Sequence, residues 1–149
     1  MSKDVLKKWL SEKNTDLFAT VTLKQAIKKD DGTYLRICSD DIRRTAWLLR
    51  DRFLIKIHGR KQAKSEPFLV FVEGDGLIKR YHLHIALNAS QKIPLEEFTL
   101  RFRETARSLE WVFNEIDVRP IDAGTSGRVI SYSLKDGISA FLPEASNVP

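Results

Sequence analysis

The sequence contains little cysteine and no long apolar run. Cys38 is the single cysteine of 149 residues, so no disulfide can form within the chain. No stretch of about 18 consecutive apolar residues occurs, which argues against a membrane span. The first residues, MSKDVLKKWLSEK, lack the apolar core of a signal peptide. Together these absences favour a reducing, cytoplasmic setting with no membrane partner.

The sequence also lacks internal repeats, low-complexity tracts and the phosphate-binding pattern Gly-x-x-x-x-Gly-Lys. Its 149 residues fit one domain of ordinary size. A chain of this length buries about 68–70% of its unfolded surface and needs neither a disulfide nor a metal ion to fold. We therefore expect a single domain over 1–149, with a flexible tail over 138–149.

Basic residues exceed acidic ones, with 25 Lys and Arg against 20 Asp and Glu. The isoelectric point is about 9.4. This excess is compatible with nucleic-acid binding but does not establish it. The basic stretch from Arg43 to Lys64 has two interpretations, a solvated helix face or a sequence-independent contact with phosphates.

Hydrophobic spacing predicts alternating helices and strands. The predicted helices cover 3–12, Ser39 to Gly59, Pro94 to Leu109, and 128–136 before Gly137. The predicted strands cover 17–23, 67–73, 77–87 and 111–121, and AGTSG (123–127) is predicted to be a loop. The glycine-rich turn at 74–76 indicates a hairpin, and therefore antiparallel pairing. We predict an α+β fold with a central antiparallel sheet of about five strands, helices on one face and an open second face.

Two of the three histidines lie close together in RYHLHIALN (80–88). Residues i and i+2 of a strand point to the same face, so His82 and His84 are expected side by side on the open face. Such a pair is either a polar patch on a wet surface or two ligands for one metal ion. His58, the third histidine, is interpreted as a surface or helix-capping residue.

A second cluster of reactive side chains occurs in SYSLKDG (131–137). On a helix, Tyr132, Lys135 and Asp136 share one face, because they are spaced i, i+3 and i+4. A tyrosine hydroxyl is a poor nucleophile at neutral pH, since its pKa is about 10. A nearby cation, or an electrophile polarised by a metal ion, makes it useful.

These stretches together resemble the single-tyrosine rolling-circle replication initiators of the HUH endonuclease superfamily. ATVTL (19–23) is similar to the first strand motif, and His82-Leu-His84 to the metal motif. Tyr132-x-x-Lys135, followed by Asp and Gly, is similar to the nucleophile helix. The resemblance covers about 17–137 and implies a ferredoxin/RRM-like HUH nuclease fold.

The resemblance also implies a mechanism. Mg²⁺ or Mn²⁺ is expected on His82, His84 and an acidic residue, with Glu73 as the main candidate and Asp136 as a further one. Tyr132 is expected to attack a phosphate of single-stranded origin DNA, in an open strand or a hairpin, and to form a 5′-phosphotyrosine link. Lys135 is expected to stabilise the phenolate or the phosphate.

The resemblance implies partners as well. DNA strands are expected to be separated by a separate helicase or supplied already single-stranded. The host is expected to be prokaryotic, or the gene to be carried by a plasmid or virus, and the protein to be a monomer or a homodimer.

The position of Glu73 raises a problem of register. If Asp75-Gly76 formed a tight two-residue turn, Glu73 would pair with Ile78, which lies about 13 Å along the strand from His82 at ~3.3 Å per residue. A ligand role therefore requires a wider loop over 74–79. Glu66 is a weaker alternative ligand.

Other interpretations of the same residues stay open. His82 and His84 fit ordinary exposed strand positions, Tyr132 fits a packing residue, and Lys135 fits a solvated surface charge. Tyr34 and Tyr81 are interpreted as packing residues, with Tyr81 pointing away from the histidines. The three tryptophans are expected in the core, namely Trp9, Trp47 and Trp111.

Two other functions are considered. A non-catalytic module that binds single-stranded nucleic acid would place His82 and Tyr132 far apart or buried. A small single-tyrosine HUH transposase would act as a dimer that exchanges the tyrosine helix. A histidine-triad nucleotide hydrolase is rejected because residue 86 is alanine where a third histidine is required.

Overall fold

The computed structural model describes residues 1–122 and 124–149. Its helices are α1 (Lys3–Ser11), α2 (Ser39–Ala63), α3 (Leu95–Arg107) and α4 (Ser126–Ser133). Its strands are β1 (Leu17–Leu23), β2 (Ala26–Lys28), β3 (Tyr34–Arg36), β4 (Phe68–Glu73), β5 (His82–Leu87) and β6 (Val112–Pro120). Two short 3-10 helices follow, Ile138–Ala140 and Pro143–Ala145.

The main sheet has four antiparallel strands in the order β4-β5-β1-β6. The α+β class is confirmed, whereas the expectation of about five strands in one sheet is corrected to four. β2 and β3, of three residues each, form a separate two-stranded hairpin. Among the described residues they pair only with each other. The sheet and its connections follow the order β1-α2-β4-β5-α3-β6.

One face of the sheet carries the larger core. Strand residues that alternate along β1, β4 and β5 point to α2 and α3 and are fully enclosed: Ala19, Val21, Phe68, Val70, Leu83 and Ile85. Phe53 of α2 contacts the rings of Phe98 and Phe102 of α3 edge to face, with centroids 5.1 Å apart in both pairs. Such contacts fix how the two helices lie on the sheet.

Helices also cover part of the opposite face, which corrects the expectation that this face is open. A second apolar cluster there joins residues of α1 and α4 to the sheet: Leu6, Leu10, Ile130, Leu69, Phe71 and Ala86. The helices contribute apolar side chains at helical spacing and bury them against the apolar strand residues of this face. The end of the face that carries the histidines lies beside this helical layer.

Residues 138–149, expected as a flexible tail, pack along β4. Leu142 N–H donates to Val70 O at 2.9 Å, and Phe68 and Asn147 exchange two backbone hydrogen bonds of 3.0 and 2.8 Å. β4 is the edge strand of the sheet, so its free backbone groups need partners. The tail supplies them, and Phe141 joins the second apolar cluster.

Several local predictions are confirmed or corrected. Gly59 interrupts α2 with a φ of 80°, near its predicted end. The N-cap is Cys38 instead of Ser39, because the Cys38 N–H donates to the Asp41 carboxylate at 3.0 Å. Of the loop predicted over 123–127, Ala123 lies outside the described residues, while 126 and 127 already belong to α4.

The prediction that all three tryptophans lie in the core is confirmed for one of them. Trp111 is buried, but Trp9 and Trp47 are 38% and 45% exposed. Both lie on helices whose buried positions are taken by other side chains, Leu6 and Leu10 on α1 and residues such as Leu49 and Phe53 on α2. In the described ranges, no helix combines the length and apolar character that a membrane crossing requires.

Candidate functional site

The strand register places Glu73 directly opposite His82. Across β4 and β5 the paired residues are Glu73 with His82 and Phe71 with His84. On the other side of β5, Thr20 of β1 pairs with His84. Paired residues of antiparallel strands share a face, so these side chains point the same way. A ligand role for Glu73 required a loop wide enough to place it opposite His82, and the loop has that width.

A wide loop over 74–81 produces this register. Gly74 and Gly76 both adopt positive φ, and a Cβ on Gly76 would lie 2.5 Å from the Tyr81 ring. The Asp75 carboxylate accepts hydrogen bonds from the backbone N–H groups of Leu77 and Lys79 at 2.7 and 3.0 Å. The Asp-Gly pair thus stabilises a wide loop and not the tight turn.

The two histidine rings lie nearly parallel. Their planes differ by 12° and their centroids are 6.3 Å apart. The His84 side chain is 9% exposed, stacks on Phe18 at 5.4 Å, and lies with Nδ1 3.2 Å from the Thr20 hydroxyl. When Nδ1 carries the proton and donates to Thr20, Nε2 keeps its lone pair, as a metal ligand must.

Two lysines hold the Glu73 carboxylate, which is 11% exposed. Lys79 Nζ lies 2.6 Å from Oε1, and Lys135 Nζ lies 2.5 Å from Oε2. We call Lys79 and Lys135 the lysine clamp. His84 Nε2 is 3.6 Å from Oε1, too far for a hydrogen bond but close enough for an electrostatic contact. One carboxylate therefore joins both lysines to the histidine strand.

These contacts shift three pKa values. Burial raises the pKa of Glu73, but the hydrogen bonds from Lys135 and Lys79 outweigh it and lower the pKa to about 2. The hydrogen bond to Glu73 raises the pKa of Lys135. Burial lowers the pKa of His84 despite the nearby carboxylate, which favours the neutral imidazole. The carboxylate is thus ionised, and the ring is suited to donate a lone pair.

Tyr132 lies beside the same histidine. Its ring centroid is 6.2 Å from that of His84, with the planes at 74°. Lys135 Nζ lies 4.1 Å from the Tyr132 ring centroid. The tyrosine is 52% exposed, so its hydroxyl is accessible to a large substrate. The helix predicted over 128–136 ends at Ser133, so α4 carries Tyr132, and the turn that follows it brings Lys135 to the histidine end of the sheet.

The donor atoms suit a divalent cation in their chemistry. His82 Nδ1 and His84 Nε2 are buried and have no hydrogen-bond partner among the described residues, which is costly for a polar atom. A cation held by both nitrogens and Glu73 would satisfy them. Over 1–122 and 124–149, however, no three histidine, cysteine, aspartate or glutamate side chains form a ready metal site. The lysine clamp holds Glu73 in this arrangement.

The remaining candidates lie elsewhere. Asp136 is exposed in the turn after α4 and forms no ion pair with a described residue, so it does not join this group. Tyr81 packs against the larger core, as predicted, whereas the same prediction for Tyr34 is wrong, since Tyr34 is 69% exposed on the short strand β3. The prediction that His58 lies at the surface is wrong, because its side chain is 5% exposed. Its Nδ1 lies 4.0 Å from the Glu66 carboxylate.

Three contributors were missed by the sequence interpretation. Thr20 and Phe18 could be found from strand alternation in LFATVTL (17–23) once β1 was known to pair with β5. Lys79 has no such signal, because it belongs to a loop whose shape depends on Gly76 and Tyr81. Loop residues follow no periodicity.

Comparison with known proteins provides no further assignment. No family model, no curated protein and no solved structure matches this chain. Residue chemistry and geometry therefore carry the functional proposal.

Proposed function

We propose that this protein is a metal-dependent endonuclease and strand transferase of the HUH type, which nicks single-stranded DNA through Tyr132 and rejoins strands. The observation that carries the proposal is the contact between α4 and β5, with the Tyr132 and His84 rings 6.2 Å apart. A nucleophile, a cation and a pair of imidazoles with free ring nitrogens then meet at one place. These are the groups that phosphodiester transfer needs.

The topology supports this proposal. The order β1-α2-β4-β5-α3-β6, with β1 and β5 central, is the β-α-β-β-α-β arrangement of ferredoxin/RRM-like folds. β5 is thus an inner strand. The histidines therefore have a neighbouring strand on each side, β4 and β1. Fold alone does not determine function, so the site residues carry the weight.

In the proposed reaction, Tyr132 Oη bonds to the phosphorus while the bond to the 3′ oxygen breaks. The phenol gives up its proton, the leaving 3′ oxygen gains one, and no water is consumed. A divalent cation, Mg²⁺ or Mn²⁺, on His82, His84 and Glu73 would supply charge stabilisation to the phosphate when bound. Lys135 stabilises the phenolate, since its ammonium already lies 4.1 Å from the ring centroid.

The covalent link conserves the energy of the phosphodiester bond. A free 3′-OH can attack the phosphotyrosine and reverse the transfer, which releases Tyr132 and rejoins a strand. This chemistry suits initiation of rolling-circle replication at an origin, in an open strand or a hairpin. Strand separation would then fall to a separate helicase.

The competing functions have less support. The non-catalytic module required His82 and Tyr132 to be distant or buried, whereas Tyr132 is half exposed beside the histidine strand. The transposase required exchange of the tyrosine helix between two subunits. Here α4 packs on its own chain through Ile130, next to the histidines of that chain.

The proposal is tested by mixing the protein and Mn²⁺ with pools of labelled single-stranded oligonucleotides. We expect a protease-sensitive DNA adduct on denaturing gels. Tyr132→Phe should abolish it, because the phenyl ring keeps the packing and removes the nucleophile. Tyr34→Phe is the matched control and should keep it, since Tyr34 lies on the separate β2-β3 hairpin.

Two results would contradict the proposal. An adduct that persists in Tyr132→Phe would assign the nucleophile elsewhere. Nicking without any adduct would indicate that water is the nucleophile.

A further inference from the structure

Two lysines surround one carboxylate at this site. Lys79 and Lys135 lie 2.6 and 2.5 Å from the two oxygens of Glu73. Two positive charges against one negative charge leave the group with excess positive charge. The lysine side chains are 50% and 38% exposed, whereas Glu73 is 11% exposed. Their ammonium groups thus lie between a mostly buried carboxylate and the solvent.

The lysine clamp competes with a cation for Glu73. Both carboxylate oxygens are engaged, one by each ammonium. A divalent cation beside His84 Nε2 would also be repelled by the two lysines. Meanwhile His82 Nδ1 and His84 Nε2 have no hydrogen-bond partner in the part of the chain that the structure describes. A phosphate group could resolve this conflict, because it would attract both ammonium groups away from the carboxylate.

We propose that the lysine clamp is a substrate-operated switch, in which backbone phosphates of single-stranded DNA take Lys79 and Lys135 from Glu73 and free it to bind the cation. This inference rests on the proposed function. It assigns to Lys79 a positioning role toward the substrate, and it makes occupation of the metal site depend on the presence of DNA.

The local backbone allows such a switch without refolding. Lys79 N–H is fixed by the Asp75 carboxylate at 3.0 Å, and Lys135 N–H donates to Tyr132 O at 3.1 Å. Only the flexible stems of the two lysines need to rotate, and both already reach solvent. Glu73 stays in place, because the pairing of β4 with β5 holds it opposite His82.

The switch predicts reciprocal coupling between the two ligands. If DNA tightens the binding of the cation by some factor, the cation must tighten the binding of DNA by the same factor. We expect this factor to be about tenfold, within the usual range of coupling between sites. Equal factors from the two titrations are an internal check on the measurement.

The test is calorimetric titration of Mn²⁺ into the Tyr132→Phe protein, which blocks cleavage, with and without an oligothymidylate of about 20 nucleotides, longer than a typical single-strand site. We expect the oligothymidylate to tighten Mn²⁺ binding about tenfold. Lys79→Met in the same background should tighten Mn²⁺ binding without DNA and reduce the coupling. Lys79→Arg should keep the coupling, and it reports on the charge if Lys79→Met folds poorly.

Lys92→Met is the matched control, because Lys92 is exposed in the loop after Leu87, at the end of β5 opposite His82. It should leave both affinities unchanged. If Lys79→Met binds Mn²⁺ no more tightly than its parent without DNA, the switch is wrong. A DNA adduct without coupling would keep the nuclease and reject the switch. Coupling without an adduct would keep the switch and reject the nuclease.

Discussion

The two faces of the main sheet differ in the polarity of their side chains. The strand residues that face α2 and α3 are apolar, with Val21, Val70 and Ile85 fully enclosed. The face under α1 and α4 is apolar only where the helices lie, and it ends in Glu73 and the histidine pair. The same strands thus supply stability on one side and reactive groups on the other.

The difference shows that buried polar atoms without partners occur on the face that contributes less to the core. Buried nitrogens without hydrogen bonds are costly, and on this sheet His82 and His84 carry two of them. The large apolar core on the opposite face offsets that cost. A cluster kept at such a cost is a candidate functional site. Substitutions on the two faces should therefore have different consequences.

The largest effect is expected on the apolar face. Phe53→Ala should lower the free energy of unfolding by about 3–5 kcal/mol, because it removes a fully buried ring that contacts Phe98 and Phe102. Urea unfolding followed by circular dichroism measures this loss. Leu100→Ala, at a position of α3 that is 52% exposed, is the control and should cost below about 0.5 kcal/mol. Similar losses in both variants would mean that this face is not the core.

On the polar face, His82→Ala should spare stability and remove metal binding. With oligothymidylate present, we expect Mn²⁺ affinity to fall at least about 100-fold, because losing a ligand should cost at least as much as losing a group that only orients one. Calorimetric titration measures the affinity. His58→Ala is the control, because it removes a buried histidine outside the site and should leave Mn²⁺ affinity unchanged. Equal affinities of His82→Ala and the unsubstituted protein would remove His82 from the ligand set.

The pH dependence of stability separates Glu73 from ordinary carboxylates. Its pKa is lowered to about 2 in the folded protein from 4.5, so the folded state holds the proton less tightly than the unfolded state. The stabilisation is complete above 4.5 and is lost as the pH falls toward 2. We expect Glu73→Gln to be about 2 kcal/mol less stable than the unsubstituted protein near neutral pH, with the gap closing in acid.

Unfolding in EDTA at several pH values measures this gap. Glu115→Gln is the matched control, since Glu115 lies exposed on β6 and forms no ion pair with a described residue. Its stability should follow that of the unsubstituted protein at every pH. A Glu73→Gln gap that stays constant down to about pH 3 would show that the two lysines do not hold an ionised carboxylate.

The smallest effect is expected from Thr20. Thr20→Val removes the hydroxyl that lies 3.2 Å from His84 Nδ1 and should weaken Mn²⁺ binding about tenfold, because such a partner fixes the tautomer of a ligating ring. The affinity is again measured by calorimetry with oligothymidylate present. Thr22→Val makes the same change two residues along β1, opposite His82, and among the described residues the histidine-bonded threonine hydroxyl is that of Thr20. Equal weakening in both variants would reject a specific role for Thr20.

The sequence predicted the polar cluster better than its surroundings. A period of two in β5 was enough to place His82 and His84 on one face. Tyr132 and Lys135 do lie together, but the helix that was predicted to join them ends at Ser133, and a turn brings Lys135 back over the Tyr132 ring.

Glu73 was correctly selected as a neighbour of His82, but the sequence left undecided whether it pairs with His82 or with Ile78. The register depended on Gly76 and Tyr81, whose contact across the loop is a tertiary interaction.

The layering of the helices could not be predicted in the same way. An amphipathic pattern shows that Leu6 and Leu10 of α1 are buried, but not on which face of the sheet. The docking of residues 138–149 on β4 was missed for a similar reason, because backbone hydrogen bonds to an edge strand leave no pattern in side chains. Lys79 was missed because only the folded loop brings it to Glu73.

The most direct measurement is the position of the DNA link in the covalent adduct. After incubation with Mn²⁺ and single-stranded DNA, protease digestion and mass spectrometry identify the peptide that carries a nucleotide remnant. The chain has three tyrosines, and the remnant should lie on Tyr132. A remnant on Tyr34 or Tyr81, or none on any tyrosine, would contradict the claim that the polar end of this sheet face is a nuclease site.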